Sequence, residues 1–299
     1  KEAEDIVATL PPCWDAHNHL QLSRRDPAIY ALLENHKVQI SLMGTQPADW
    51  AHIESLSAQY PADIRPNYGL HPWWAHDHAS PTPGSGWMQH LRRALEMDPS
   101  ACLGEIGLDG QWVPPGYDEV QFEQQMHAFR QQLQLAVDLH RPVSLHCVKA
   151  YGEMFDLLRT APELPPAVYM HSWGGKVGML ESYLKMKNFG DRFYFGFSSF
   201  ANLRQNCHKT TAVIAAVPDN RLLLESDLED ASHVPDALRR MLHVMAEAKG
   251  WSVEHTAAIT KANARRFYES GLVRHNTTTR PTDIQPNPPV KVSSRAGGG

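Results

Sequence analysis

The amino-acid sequence predicts an α/β fold of the (β/α)8 TIM-barrel class. Eight short apolar runs recur along the chain, each followed by a segment with helical spacing. The length, 299 residues, suits one barrel of about 250 residues with tails. Strands of a parallel barrel are covered on both faces, so they read as nearly continuous apolar stretches rather than as alternating ones. A doubly wound open sheet competes with the barrel, but no glycine-rich phosphate loop accompanies these strands.

In chain order the strand expectations are Cys13–His17, Val38–Met43, Ile64–Leu70, Ala101–Ile106, Pro142–His146, Ala167–His171, Arg192–Phe197 and Arg221–Ser226. Helices are expected at Pro27–Asn35, Ala48–Gln59, Trp87–Met97, Gly152–Leu158, Val177–Lys187 and His208–Val217, then Val234–Lys249 and Val253–Ser270. The clearest helical pattern is Asp118–Leu139, where Phe122, Met126, Phe129, Leu133 and Ala136 recur at steps of four and three; Asp118 with Gln121 resembles a capping box. Ala79–Gly86, rich in Pro and Gly, reads as a loop over the barrel mouth. Residues 1–275 read as one domain, and Asn276–Gly299, rich in Thr, Pro, Ser and Gly without periodicity, as a disordered tail.

Composition narrows the function. A net charge of −5 argues against a protein that grips long duplex DNA through a basic surface. No apolar run approaches the ~18–20 residues of a membrane span, and Lys1–Leu10 does not read as a signal peptide. Cysteines at 13, 102, 147 and 207 show no paired spacing, which suggests core thiols in a reducing compartment, cytoplasmic or nuclear. Seventeen histidines is a high count that raises the expectation of metal chemistry.

In a barrel of this class the active site lies at the C-terminal ends of the strands. Five of the expected strands end in ligand-type residues. The first ends in Asp15-Ala16-His17-Asn18-His19, where two imidazoles two residues apart point the same way. The fourth carries Glu105 in an apolar run, where an isolated carboxylate would cost several kcal/mol without a cation or donor. The fifth ends at His146, the sixth at His171 and the eighth at Asp227. Each alone reads as a hydrogen-bonded residue at a strand end; five together point to a metal centre.

These blocks resemble those of the TatD-related deoxyribonucleases, which belong to the amidohydrolase-type metal barrels. The similarity runs through Asp15–Leu20, Gly69-Leu70-His71-Pro72, Gly104-Glu105-Ile106-Gly107-Leu108-Asp109, Leu145-His146, His171 with Gly174, Leu224-Glu225-Ser226-Asp227 and Asn263–Phe267, in the family order across roughly residues 12–272. The resemblance implies two divalent cations: one on His17, His19 and Asp227, the second on His146 and His171, with Glu105 bridging. It further implies a metal-activated water that hydrolyses phosphodiester bonds, removing nucleotides from a DNA end, single-stranded DNA included. Glu105 and Asp227 are then the catalytic carboxylates, Asp227 orienting the water and accepting its proton. Four imidazoles and two carboxylates favour Zn²⁺ or Mn²⁺, whereas the family implies Mg²⁺-supported activity in some members.

Residues expected to contact substrate are His71, Lys149 and Trp173. His71 reads equally as a substrate contact or as a hydrogen-bond partner behind the site; Lys149 as a phosphate contact or a solvated side chain. Trp73, Trp74 and Trp173 follow strand ends, where an aromatic face can stack a base, with rim packing expected of at least two. Asp109 is expected to stabilise a turn, Cys147 to face the core, and His76, His78 and His90 to be exposed bystanders. The chain departs from the family at Cys147-Val148-Lys149-Ala150, Ser172-Trp173-Gly174-Gly175 and Leu228-Glu229-Asp230. These departures resemble a divergent, fungal branch described mainly as partners of cell-cycle machinery, which implies a protein partner. Hydrolysis of an ester or amide, and use of the barrel as a protein-interaction module, are the alternative readings.

Overall fold

The computed structural model describes residues 10–23, 27–34, 38–78, 86–203 and 207–272. Its strands are β1 (Cys13–Asn18), β2 (Val38–Met43), β3 (Ile64–Tyr68), β4 (Cys102–Asp109), β5 (Val143–Val148), β6 (Val168–Met170), β7 (Phe193–Ser198) and β8 (Leu222–Glu225). They form a parallel sheet in the order β1 to β8. The helices are α1 (Pro27–Glu34), α2 (Pro47–Gln59), α3 (Ala75–His78), α4 (Trp87–Met97), α5 (Phe122–Asp138), α6 (Tyr151–Thr160), α7 (Val177–Leu184), α8 (Ser199–Asn202), α9 (Cys207–Ala216), α10 (Val234–Lys249) and α11 (Val253–Glu269). The expected barrel is present, and its core lies between the strands and the helices around them.

The seam between β8 and β1 is joined at the mouth. Asp227 N–H donates to the His17 carbonyl at 3.0 Å and His19 N–H to the Leu228 carbonyl at 2.8 Å. Asp15, buried beneath them, accepts from Ser226 N at 2.8 Å and Ser226 Oγ at 2.6 Å. α11 packs on both seam strands, and Tyr268 donates its hydroxyl to the Ala16 carbonyl.

Several boundaries move. β4 extends three residues past Ile106 to Asp109, because Ile106–Asp109 pairs residue for residue with Leu145–Val148. β6 stops at Met170, so His171 stands just beyond it. The helix expected from Asp118 starts at Phe122, with Gln121 as its N-cap and no side-chain cap, so the Asp118 capping box does not form. What fixes that helix is Gln125, whose amide bonds the Asp109 peptide N–H at 2.8 Å and its carbonyl at 3.0 Å. The residues of the expected 79–86 loop up to 85, and the tail from 276, lie outside the described residues.

Candidate metal centre

Two register irregularities fall on the strands that bring residues to the mouth: in β1 between Asp15 and Asn18, and in β4 between Leu103 and Ile106. Such irregularities re-aim side chains, and here the re-aimed residues are His17 and Glu105. Past the strands, Lys149, Ser172 and Asp227 adopt left-handed φ values of 52°, 40° and 58°. Non-glycine residues held there carry strain of order 1–3 kcal/mol each, a pattern that clusters at functional sites.

Of the six residues read from the sequence as metal ligands, the other five gather around Glu105, and its two oxygens face different groups. Oε2 lies 3.2 Å from His17 Nε2 and 3.1 Å from His19 Nε2. Asp227 Oδ1 completes that group, 4.0 Å from His17 Nε2 and 3.8 Å from His19 Nε2. Oε1 lies 2.7 Å from His146 Nδ1 and 2.7 Å from His171 Nε2, and those two nitrogens are 3.3 Å apart.

The outer nitrogens show whether the inner ones can bind a cation. His19 Nδ1 faces the Met43 carbonyl at 3.2 Å, a pure acceptor, so Nδ1 keeps its proton and Nε2 is the nitrogen that can give up its own and present a lone pair on the Glu105 side. His146 Nε2 faces the Asp109 carboxylate at 3.4 Å, which holds a proton there and leaves Nδ1 as the inward nitrogen that can be freed for a cation. His17 Nδ1 is 3.0 Å from Ser144 Oγ, which can accept in the same way. Inward nitrogens converging on one carboxylate become, once deprotonated, the donor set a borderline divalent cation takes. Among the described residues, His17, His19 and Asp227 form one group of ligand atoms close enough to hold an ion, and His71, Glu105 and His146 another.

His71 differs from its neighbours. Its Nδ1 accepts the Trp73 backbone N–H at 3.2 Å, so in the neutral ring Nε2 carries the proton and points at Glu105 Oε1, 3.4 Å away. That polarity makes His71 a hydrogen-bond donor into the site rather than a ligand.

Electrostatics follow from this packing. Burial acts to raise the Glu105 carboxyl, but the imidazoles of His171, His71 and His17 outweigh it and hold the group well below its usual range. Burial also disfavours charge on the histidines. It holds His17 well below the usual value, with His171 stacked on it at 3.9 Å, and lowers His71 to about 4. At His146 the neighbouring Asp109 and Glu105 carboxylates overcome burial and raise the imidazole to about 10. At His19, Glu105 and Asp227 overcome burial and raise it to about 9.

Other expectations are corrected. Trp173 is only 3% exposed and packs edge-on against Tyr151, Tyr183 and Phe195, so it offers no face to a substrate. His76 is half-buried and contacts Trp112 and Tyr117 rather than standing free in solvent, and His78 is half-buried too; His90 is exposed. Lys149 is exposed at the mouth, its backbone beside Gly110. Asp109 does stabilise its turn, accepting from Gln111 N at 2.9 Å and Trp112 N at 3.0 Å, but it also supports His146. Cys13, Cys102 and Cys147 are free thiols, Cys147 half-buried against the core.

Sequence reasoning missed Ser144, the Met43 carbonyl, Gln125 and Glu225. Glu225 is buried and accepts from Tyr169, from Ser172 N at 2.6 Å and from Ser172 Oγ at 2.7 Å. Ser172 Oγ also reaches Asp227 Oδ2 at 3.1 Å. A buried carboxyl two residues before a ligand-type carboxyl was the available signal for Glu225; a backbone carbonyl has none.

A parallel barrel with clustered histidines and carboxylates at its C-terminal mouth defines a class of protein, the metal-dependent hydrolase barrels. Within that class, the chain belongs to the TatD-related DNase family, whose model matches residues 14–269. It is 28% identical to the Cut9-interacting protein scn1 of Schizosaccharomyces pombe over 85% of this chain and 97% of that one. It is 27% identical to the 3′-5′ ssDNA/RNA exonuclease TatD of Erwinia tasmaniensis, over 82% of this chain and 93% of that one. The fold matches the Escherichia coli TatD homologue YJJV with a TM-score of 0.70 at 22% identity, covering 86% of this chain and 97% of that chain.

Proposed function

We propose that the chain is a divalent-metal-dependent hydrolase that cleaves phosphodiester bonds at single-stranded nucleic-acid ends. One observation carries the reading: Glu105 presents one oxygen to the His17–His19–Asp227 group and the other to the His146–His171 group. Two cations held there, Zn²⁺, Mn²⁺ or Mg²⁺, would lower the pKa of a coordinated water and neutralise charge gathering on a phosphoryl oxygen. His17, His19 and Asp227 would hold the first, His146 and His171 the second, with Glu105 able to serve both.

Asp227 then has the catalytic part beyond ligation. Its Oδ1 faces the histidines while Oδ2 lies 3.1 Å from Ser172 Oγ, and in that placement the carboxylate would take the proton of an attacking water. His71, neutral and with Nε2–H aimed into the site, donates to an oxygen of the substrate or of the leaving group. Lys149, exposed at the same mouth, is the phosphate contact. The Erwinia relative's name supports the substrate class, and the low net charge fits chain ends better than long duplex.

The test is cleavage of single-stranded DNA with each of the three cations, alongside Glu105→Ala. Cleavage by the parent protein and none by the variant is expected; equal cleavage by both overturns the proposal. A second reading, binding to a protein partner in the cytoplasm or nucleus, is favoured by the name of the fission-yeast relative, matched over 97% of its length. Full cellular function in Glu105→Ala would favour it. No helix among the described residues is long and apolar enough to cross a membrane.

A further inference from the structure

Beside the cluster two tryptophans form a flat, partly exposed shelf. Trp73 follows β3 and Trp112 follows β4; their rings stack with centroids 5.6 Å apart and planes 18° apart. One carboxylate fixes both. Asp109 Oδ2 accepts the Trp73 indole N–H at 2.8 Å, and Oδ1 accepts the Trp112 backbone N–H at 3.0 Å. Trp73 is held a second time through its own backbone N–H, bonded to His71 Nδ1. Even so, Trp73 stays 40% exposed. A large apolar ring pinned at two points and left in solvent gains little by burial, yet it is pre-organised to receive another flat group.

Its position says which group. The Trp73 ring lies 4.9 Å from His71 and 6.4 Å from His146, centroid to centroid, so the shelf borders the histidine–carboxylate cluster directly. Neither mouth segment that builds it, residues 69–78 or 110–121, contains a Lys or Arg. These two segments therefore bring no cation of their own to a phosphate, and the ring faces are what they offer a ligand. Trp173, by contrast, is spent on packing.

We infer that Trp73 and Trp112 form a stacking subsite for the unpaired nucleobase adjoining the bond that is cut. The inference rests on the proposed phosphodiester reading and names what recognises the substrate there. A paired base has both faces covered by its neighbours, so only an unstacked base fits, and the subsite selects single-stranded ends without reading sequence. Purines, with the larger face, bind better than pyrimidines.

The experiment compares full-length protein with Trp73→Ala, Trp73→Phe and Trp112→Ala. Binding of a dye-labelled single-stranded oligodeoxyadenylate is followed by fluorescence anisotropy in chelator, and cleavage is assayed separately with Mn²⁺. Trp73→Ala is expected to weaken binding by roughly fivefold to a hundredfold, and Trp73→Phe by much less, since the ring remains. With an oligomer whose terminal bases are replaced by abasic tetrahydrofuran units, the ratio between parent and Trp73→Ala falls to near one. Equal weakening on both oligomers, or none on either, overturns the subsite. If the base-dependent ratio holds while the parent cleaves neither oligomer, the stacking subsite stands and the phosphodiester reading fails. If the parent cleaves and the ratio is absent, the subsite alone fails.

Discussion

At the scale of single residues, the cluster stores protons that a cation must displace. His19 and His146 are raised to about 9 and about 10 by the carboxylates beside them, so both are imidazolium at neutral pH in the metal-free protein. Metal ligation needs their inward lone pairs, and loading at pH 7 should therefore release at least these two protons, with His171, where burial is outweighed by Glu105 and the imidazole is also raised, able to add to them. Calorimetry in buffers of differing ionisation enthalpy measures this number; release near zero would remove these histidines from the ligand set. Because protons compete with the cation, affinity should rise with pH up to about 9–10. The sign for stability is opposite. Both groups have folded values above the unfolded 6.5, so their contribution to the metal-free fold is full below about 6.5 and is lost as pH rises through 9–10. Thermal melting in chelator across that range should show the decline, and a His146→Gln variant should lose the His146 share of it.

At the scale of elements, the mouth is shaped by polar groups inside otherwise apolar structure, and this decides what could be read from the sequence. The eight strands were legible because burial on both faces demands long apolar runs, as in Leu222–Glu225 with its three leucines. The six clustered side chains were legible because each interrupts or ends such a run. What holds them was not. Gln125 and Gln132 sit seven residues apart on the buried stripe of α5, where a glutamine's polarity suggested the solvent side. Gln132 instead bonds the Leu70 N–H at 2.7 Å and carbonyl at 3.1 Å, as Gln125 does for Asp109, so one helix fixes the ends of β3 and β4. Replacing Gln125 with Leu leaves two buried peptide groups unpaired, at about 1–3 kcal/mol each. Urea unfolding should show that loss, and cleavage should fall as well, since Asp109 carries His146 and both shelf tryptophans. Gly107 is the second such constraint. It has φ 146°, and a Cβ there would lie 2.0 Å from the His146 carbonyl oxygen, a backbone atom that cannot step aside. Gly107→Ala should force β4 and β5 apart, lowering the melting temperature and removing metal binding together.

For the whole molecule, the cluster gathers residues from distant parts of the chain onto one carboxylate. His17 comes from β1 and His19 from just past its end, Glu105 from β4, His146 from β5, His171 from just past β6 and Asp227 from just past β8. Asp227 and His17 also face each other across the seam where β8 meets β1, which Asp15 and Ser226 close beneath them. A cation held by this set would therefore cross-link the barrel across its seam and between sequence positions that the unfolded chain leaves far apart. Because the unfolded chain lacks the site, binding adds directly to folding stability, by about 2.7 kcal/mol at a free cation concentration of 100 times Kd. In domains of 150–250 residues each kcal/mol moves Tm by about 2–4 °C, so the cation should raise Tm by roughly 5–11 °C. Scanning calorimetry with Zn²⁺ or Mn²⁺ against chelator measures it. Glu105→Gln, which keeps the shape but loses the charge shared between the two groups, should melt at the same temperature with and without cation. A full shift in that variant would mean that the ion stabilising the fold sits somewhere other than between the two faces of Glu105.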